Sequence, residues 1–239
     1  ENEIEKMVNE LVQTNLLSGA VWIHNPEWGD TSNGEIIREW GETILTEKMN
    51  EANFSYSFPC FFQTNPKMAE VVQRYIVERV LPDESVLDLY CGVGLFSIPL
   101  ATRGHNVKGI EMSKEAIAWA RKNAHANGLD DDAISFSIGD VPKALQDCEK
   151  NQEKYGVVLL DPPRSGLSKK IWRRVLRLRP KQLIYVSCNL ASLQRDLEWL
   201  TEYAEFTMEH ARAFDFFPHT EHVETIVDIR IDVIKEFPK

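Results

Sequence analysis

Four short stretches of this chain hold residues whose types and spacing could do chemistry. Val186-Ser187-Cys188-Asn189-Leu190 puts a thiol where a run of β-branched and aromatic residues, Leu183 to Val186, gives way to a helical pattern, Ala191 to Tyr203. In an open α/β sheet that point is the carboxyl edge, where ligands bind. Cys188 is therefore a candidate nucleophile, weighed against the commoner role of cysteine as a small buried hydrophobe. Asp88-Leu89-Tyr90-Cys91-Gly92-Val93-Gly94 follows an apolar strand and opens a helix. Gly92 and Gly94 carry no Cβ, so the backbone there can approach a ligand closely. The third glycine of the dinucleotide fingerprint is replaced by Ser97, which turns the reading away from NAD.

Three acidic residues extend that pattern. Glu111 ends the strand after Asp88, at an offset where a carboxylate can accept from both hydroxyls of a ribose. Asp140 ends the third strand and could accept from an adenine amino group. Asp161 ends the fourth, in Asp161-Pro162-Pro163-Arg164-Ser165-Gly166, where paired prolines stop the strand and stiffen its exit. These strand ends suit an adenosyl cofactor and require no phosphate. The Gly-Lys-Ser/Thr cradle of a nucleotide hydrolase is absent.

Positioning these residues needs a regular frame, and from Ser85 onward strands and helices alternate. Strands are expected at Ser85–Tyr90, Asn106–Glu111, Ile134–Ile138, Val157–Leu160 and Leu183–Ser187. Helices are expected at Leu95–Thr102, Lys114–Ala126, Pro142–Lys150, Lys169–Leu178 and Ala191–Tyr203. That alternation implies βαβ units and a parallel sheet covered on both faces. Two final strands, Phe206–Phe214 and Glu224–Val233, leave no room for a crossover helix, so the last must run antiparallel. The expected fold is α/β, a seven-stranded, mostly parallel Rossmann-like sheet of the S-adenosylmethionine-dependent methyltransferase type. Before it come a helix over residues 1–17, a strand at Gly19–His24, a hairpin or strand pair within Thr31–Leu45 around Asn33-Gly34, and a strand at Phe54–Phe58. Asn65 then caps a helix from Pro66 to Val80. This reading divides the chain into an N-terminal extension, 1–53, and a catalytic domain, 54–239.

Bulk properties narrow the class. No apolar run approaches the ~18–20 residues of a membrane span. The four scattered cysteines have no C-x-x-C spacing, so neither a zinc nor an iron–sulfur site is expected and the chain reads as reduced and cytoplasmic. The net charge of −10 disfavours nucleic acid as a whole. Its distribution does not: Arg164, Lys169, Lys170, Arg173, Arg174, Arg177, Arg179 and Lys181 follow one another with no acid between them.

These motifs in this order resemble the RNA uracil-C5 methyltransferases, which make 5-methyluridine in transfer and ribosomal RNA. The resemblance runs from about Gly19 to Val233. It rests on Phe61-Phe62-Gln63-Thr64-Asn65, the Asp88–Gly94 loop, Glu111, Asp161-Pro162-Pro163-Arg164, Tyr185-Val186-Ser187-Cys188-Asn189 and Phe216-Phe217-Pro218-His219-Thr220-Glu221-His222-Val223-Glu224. It implies that S-adenosylmethionine is the cofactor, lined by Gln63, Tyr90, Gly92, Glu111, Asp140 and Asp161. It further implies Cys188 as nucleophile, Glu224 as base, and structured RNA, rRNA or tRNA, as partner. The sequence does not name the oligomeric state; a monomer is expected. Leu190 stands where members often have proline, and the OB-like and four-cysteine iron–sulfur segments of other members are not in this sequence.

The implied chemistry is sound on first principles. C5 of uracil is a poor nucleophile; a thiolate added at C6 makes the ring an enolate that can attack a sulfonium methyl. A base must then remove the C5 proton before the thiolate leaves, the task of Glu224. An unperturbed thiol is only a few per cent ionised at neutral pH, and the strand-to-helix position is expected to favour its anion. The target base must also leave its stack. The basic run then reads as a phosphate-positioning surface. His219 orients Glu224, touches RNA or packs under the Pro218 turn; Phe216 and Phe217 stack on a base or fill the core. Two other readings stand beside this one, an amino-group methyltransferase built on Asp161-Pro162-Pro163 and a cofactor- or RNA-binding module without catalysis.

Overall fold

The computed structural model describes residues 2–14, 16–26 and 34–236. In chain order the elements are α1 (Asn2–Gln13), β1 (Gly19–His24), β2 (Glu35–Gly41), β3 (Ile44–Met49), β4 (Ala52–Ser57), α2 (Pro66–Val77), β5 (Val86–Leu89), α3 (Ser97–Thr102), β6 (Val107–Glu111), α4 (Lys114–Ala126), β7 (Ile134–Ile138), α5 (Val141–Lys150), β8 (Val157–Leu160), α6 (Lys169–Arg177), β9 (Gln182–Ser187), α7 (Leu190–Tyr203), β10 (Ala204–Phe214) and β11 (Glu224–Ile234). Among the described residues no helix is long and apolar enough to cross a membrane.

Seven strands form one sheet in the order β10-β11-β9-β8-β5-β6-β7. The central strand β8 reads as an unbroken apolar run because both faces are covered. Val157, Val158, Leu159 and Leu160 are all fully buried, with Val157 and Leu159 in one core and Val158 and Leu160 in the other. Each such side chain contributes about 1.5–3 kcal/mol through burial. The first core lies under α2, α3 and α4, the second under α5, α6 and α7.

β11 enters antiparallel between β10 and β9, with Thr225 opposite Ser187 and Glu224 opposite Phe214. This reversal has a consequence for chemistry. The parallel strands present their last residues at the carboxyl edge, whereas β11 presents its first, so Glu224 arrives there beside Cys188.

The N-terminal part departs from expectation. Glu35–Gly41 pairs back onto β1, with Ile23 opposite Ile36, and Asn33 of the expected turn lies outside the described residues. Ile44 begins a further strand, β3, which forms a hairpin with β4. Asn50, at φ 50°, makes its turn and is fixed by Glu70 and Gln73: its N–H donates to Glu70 Oε1 at 3.0 Å and its Nδ2 to Gln73 Oε1 at 2.7 Å. Asparagine tolerates this left-handed conformation. The expected division at residue 53 falls inside the hairpin, whose Met49, Ala52 and Phe54 enter the first core.

Asn123 of α4 joins this hairpin to the sheet. It is 2% exposed; its Oδ1 accepts from Ser55 N at 2.8 Å, and its Nδ2 donates to Ser55 O at 3.0 Å and Val93 O at 3.2 Å. Replacing Asn123 by leucine leaves these backbone groups unpaired and is expected to cost about 1–3 kcal/mol, read as a lowered unfolding midpoint.

A second network sets a pH response. Burial pushes the Glu153 carboxyl up, but hydrogen bonds from Lys108 (2.7 Å), Tyr155 (2.5 Å) and Asn151 outweigh it and hold the group at about 2, below its ordinary 4.5. Its stabilisation is complete above the unfolded value and is lost as pH falls through the folded one. The Glu153→Gln penalty, measured by chemical denaturation, is therefore expected to be constant above pH 5 and to shrink between about 4.5 and about 2.

Candidate active site at the carboxyl edge

The loop after β5 is built for close approach. Tyr90, Gly92 and Gly94 have φ of 68°, 54° and 92°, so the chain turns through the left-handed region three times within five residues. Tyr90 holds it against steric preference, a form of strain that clusters at ligand sites. A Cβ on Gly92 would meet no protein atom within 4 Å, so the space beside it is open. Glu111 secures the loop, accepting from Gly92 N at 3.3 Å and from Ser113 N, at the head of α4, at 2.9 Å.

Asp88 is fully buried and accepts from Ser97 Oγ at 2.5 Å, while its Oδ1 has no partner among the described residues. Burial raises its carboxyl to about 7, with the Glu111 charge adding to the rise and the Ser97 hydrogen bond opposing it. Burial also lifts Tyr90 to about 12, helped by the charges of Asp140, Glu111 and Asp196. Asp140 stands at the N-cap of α5, yet its side chain makes no capping bond, and it is exposed. Met112 and Ile138, 72% and 47% exposed, are apolar neighbours of Glu111 and Asp140.

Gln63 lies half-buried in the loop between β4 and α2. Its neighbours anchor that loop. The Phe62 ring stacks on Tyr56 at 4.2 Å, and Asn65 caps α2 through Met68 N at 3.1 Å while donating to Phe216 O at 3.4 Å.

Across the edge, Asp161, Arg164, Cys188 and Glu224 form a second group. Cys188 and Arg164 line a cleft of about 290 Å³ with Asn189, Leu190, Glu221, His222 and Val223. Glu224 is 7% exposed. Burial raises its carboxyl, and the Arg164 guanidinium pulls it down. Asp161 is driven well above the ordinary carboxylate range by burial and by the charges of Glu224, Asp88 and Glu111. Carboxylates crowded in this way suit a cationic ligand or one rich in donors.

Cys188 corrects one expectation. Its thiol is raised, chiefly by burial and then by Glu224, with Arg164 acting the other way. Two amides of the helix start are engaged by Asn189, whose Oδ1 accepts from Ala191 N at 3.0 Å and Ser192 N at 3.4 Å. The favouring charge is Arg164, assigned from sequence only to a basic surface. All four cysteines are free, and Cys91 and Cys148 are buried.

The basic run also divides. Lys169 pairs with Glu202, Arg174 and Arg177 with Glu149, and Lys181 with Glu84. The expected phosphate surface thus narrows toward Arg164, Lys170, Arg173 and Arg179. Phe216, 3% exposed, is a core residue; His219 is exposed at φ 72°, not packed under the Pro218 turn.

Residues 36–230 match the family model described as tRNA (uracil-5-)-methyltransferase. The chain belongs to that family. Within the tRNA (uracil-5-)-methyltransferase family, it is 35% identical over 208 residues to the tRNA (uracil(54)-C(5))-methyltransferase of Pyrococcus abyssi, an alignment covering 87% of this chain and 48% of that protein. The corresponding enzyme of Pyrococcus horikoshii is 36% identical with the same coverage. The crystal structure of the P. abyssi protein, in complex with S-adenosyl-L-homocysteine, superposes with a TM-score of 0.75 at 33% identity, covering 90% of this chain and 52% of that one. A SAM-dependent methyltransferase of Agrobacterium tumefaciens, 19% identical at a TM-score of 0.63 over 93% of this chain and 79% of its own, shares the fold. This family member spans about half the length of the curated relatives it matches.

Proposed function

We propose that this chain is the catalytic part of an enzyme that methylates C5 of a uridine in structured RNA through a covalent bond from Cys188 to C6. The observation that carries the proposal is the reversal at β11, which sets Glu224 beside Cys188 at the mouth of a cofactor-type sheet edge. Relatives named for transfer RNA make tRNA the favoured substrate over rRNA.

S-adenosylmethionine, when bound, supplies an electrophilic methyl group. The protein's residues fit it. The Gly92 loop leaves room, Glu111 suits the ribose, Asp140 the adenine amino group, and exposed Met112 and Ile138 the purine faces. Buried Asp88, with an unpartnered oxygen and a carboxyl raised to about 7, is a group that a nearby positive charge ionises. Gln63, Tyr90 and Asp161 complete the lining, with Asp161 between cofactor and substrate.

On the substrate side, Arg164 favours the Cys188 thiolate for addition at C6. Glu224, held largely out of water and raised in pKa, removes the C5 proton, the C5–C6 double bond re-forms and Cys188 leaves as thiolate. Leu190 and Val223 line the cleft assigned to the extruded base. We also place β3 with the catalytic domain, because Met49 belongs to its core.

The test is incubation with uridine-containing RNA and methyl-labelled cofactor, followed by nucleoside analysis. Label is expected in 5-methyluridine. Label confined to an exocyclic amino group would favour an amino-group enzyme and overturn the proposal.

A further inference from the structure

We propose that Arg195 and Asp196, in the second turn of α7, are positioning residues that hold the loop bearing Arg164 over Cys188. The inference rests on the reading of Cys188 as the nucleophile, but its geometry can be tested without RNA.

The chain leaving β8 is stiffened by Pro162-Pro163 and then has to be steered back over the sheet edge before α6 begins. Helix α7 starts immediately after Cys188, so its first two turns are in fixed register with the thiol. Three side chains of this region reach to the loop. Asn189 Nδ2 donates to Arg164 O at 3.3 Å, and Arg195 Nη2 donates to Ser165 O at 2.6 Å. Asp196 Oδ2 accepts from Leu167 N at 2.6 Å. The tethers fall on Arg164 and the three residues after it, and fix its backbone relative to the nucleophile.

Asp196 is the centre of this arrangement. It is fully buried, and it also accepts from Tyr185 Oη at 2.7 Å and pairs with Arg195 through Nε at 3.0 Å and Nη2 at 2.7 Å. A buried carboxylate is costly unless paired and hydrogen-bonded. Joining α7 to the sheet does not require one, since Leu193 and Leu200 already do so through the second core. What the charge adds is a grip on loop backbone. The loop has adapted to it: Gly166 sits at φ 71°, and a Cβ there would lie 2.4 Å from Asp196 Oδ2.

Arg164 is the cation that acts on both the Cys188 thiol and the Glu224 carboxyl; the other charged groups around the thiol, Glu224 and Asp161, are acidic and oppose ionisation. Displacing the loop therefore weakens the Arg164 influence that favours the thiolate. Iodoacetamide alkylation of Cys188, followed across pH by peptide-resolved mass spectrometry, reads this directly. Buried Cys91 and Cys148 report any unfolding in the same experiment.

Arg164→Gln is expected to slow Cys188 alkylation at neutral pH about tenfold, because a smaller share of the thiol is then ionised. Asp196→Asn and Arg195→Gln are each expected to reproduce most of that loss with Cys148 protected. Asp196→Asn added to Arg164→Gln should slow it no further, because both act through one group. If Asp196→Asn exposes Cys148, Arg195→Gln, which leaves the buried carboxylate in place, decides the matter. Wild-type alkylation profiles in the folded single variants, or additive losses in the double variant, would overturn the proposal. Loss of the nucleophile reading shows itself elsewhere, as undiminished turnover of Cys188→Ala.

Discussion

Cys188→Ala is expected to lose methyl transfer to RNA by a factor on the order of 10⁴ or more, while binding cofactor with unchanged affinity. The magnitude follows from the role: without addition at C6, C5 of uracil has no means of becoming nucleophilic, and removing a nucleophile generally removes its whole catalytic unit. The separation of effects follows from position. Cys188 lines the cleft with Arg164 and Val223, whereas Gly92 and Glu111, assigned to the cofactor, meet at the loop after β5. Calorimetry with S-adenosylhomocysteine and single-turnover methylation of a uridine-containing RNA are the two readouts. Alanine at this position, turning over at the wild-type rate, would remove covalent catalysis from the account.

Glu224→Gln is expected to behave differently. Addition and methyl transfer proceed, but the C5 proton stays, and release of the product slows by about 10²–10⁴. The enzyme then accumulates as a protein–RNA adduct that survives denaturation. Glutamine keeps the size of the side chain, so the 7% exposed site is not opened to water. A raised carboxyl pKa also predicts a pH dependence: deprotonation limits release in the wild type, which should accelerate as pH rises through the Glu224 value, and Glu224→Gln should lack that limb.

Much of the frame was legible because its physics is local. The β8 run Val157–Leu160 is buried on both faces and so reads as continuous apolar sequence. The reversal at β11 was legible too, because the nine residues separating β10 from β11 are too few for a crossover. β3 was not. Ile44 and Leu45 face solvent, Glu47-Lys48 interrupts the apolar pattern, and only Met49 is buried, so the strand exists through its pairing with β4 rather than through its own composition.

The site shows the same division. Strand ends put Glu111, Asp140, Asp161 and Cys188 at the carboxyl edge, since their place depends on neighbours in sequence. The electrostatics of Cys188 were hidden, because they depend on which groups meet across the edge: Asn189 engages two helix amides, Glu224 opposes ionisation, and Arg164 supports it from another loop. Asp196 was hidden for a related reason. An Arg-Asp pair in a helix reads as a solvated face, and only the packed loop over α7 shows that it is buried.

The covalent bond between Cys188 and the RNA base is the central claim, and mass spectrometry of the trapped adduct tests it most directly. Glu224→Gln would be reacted with uridine-containing RNA and labelled cofactor, denatured, and digested with nuclease and protease. A single cross-linked peptide is expected, with a methylated uridine nucleotide attached to Cys188. A nucleotide on Cys60, or labelled RNA released with no protein attached under single-turnover conditions, would contradict it.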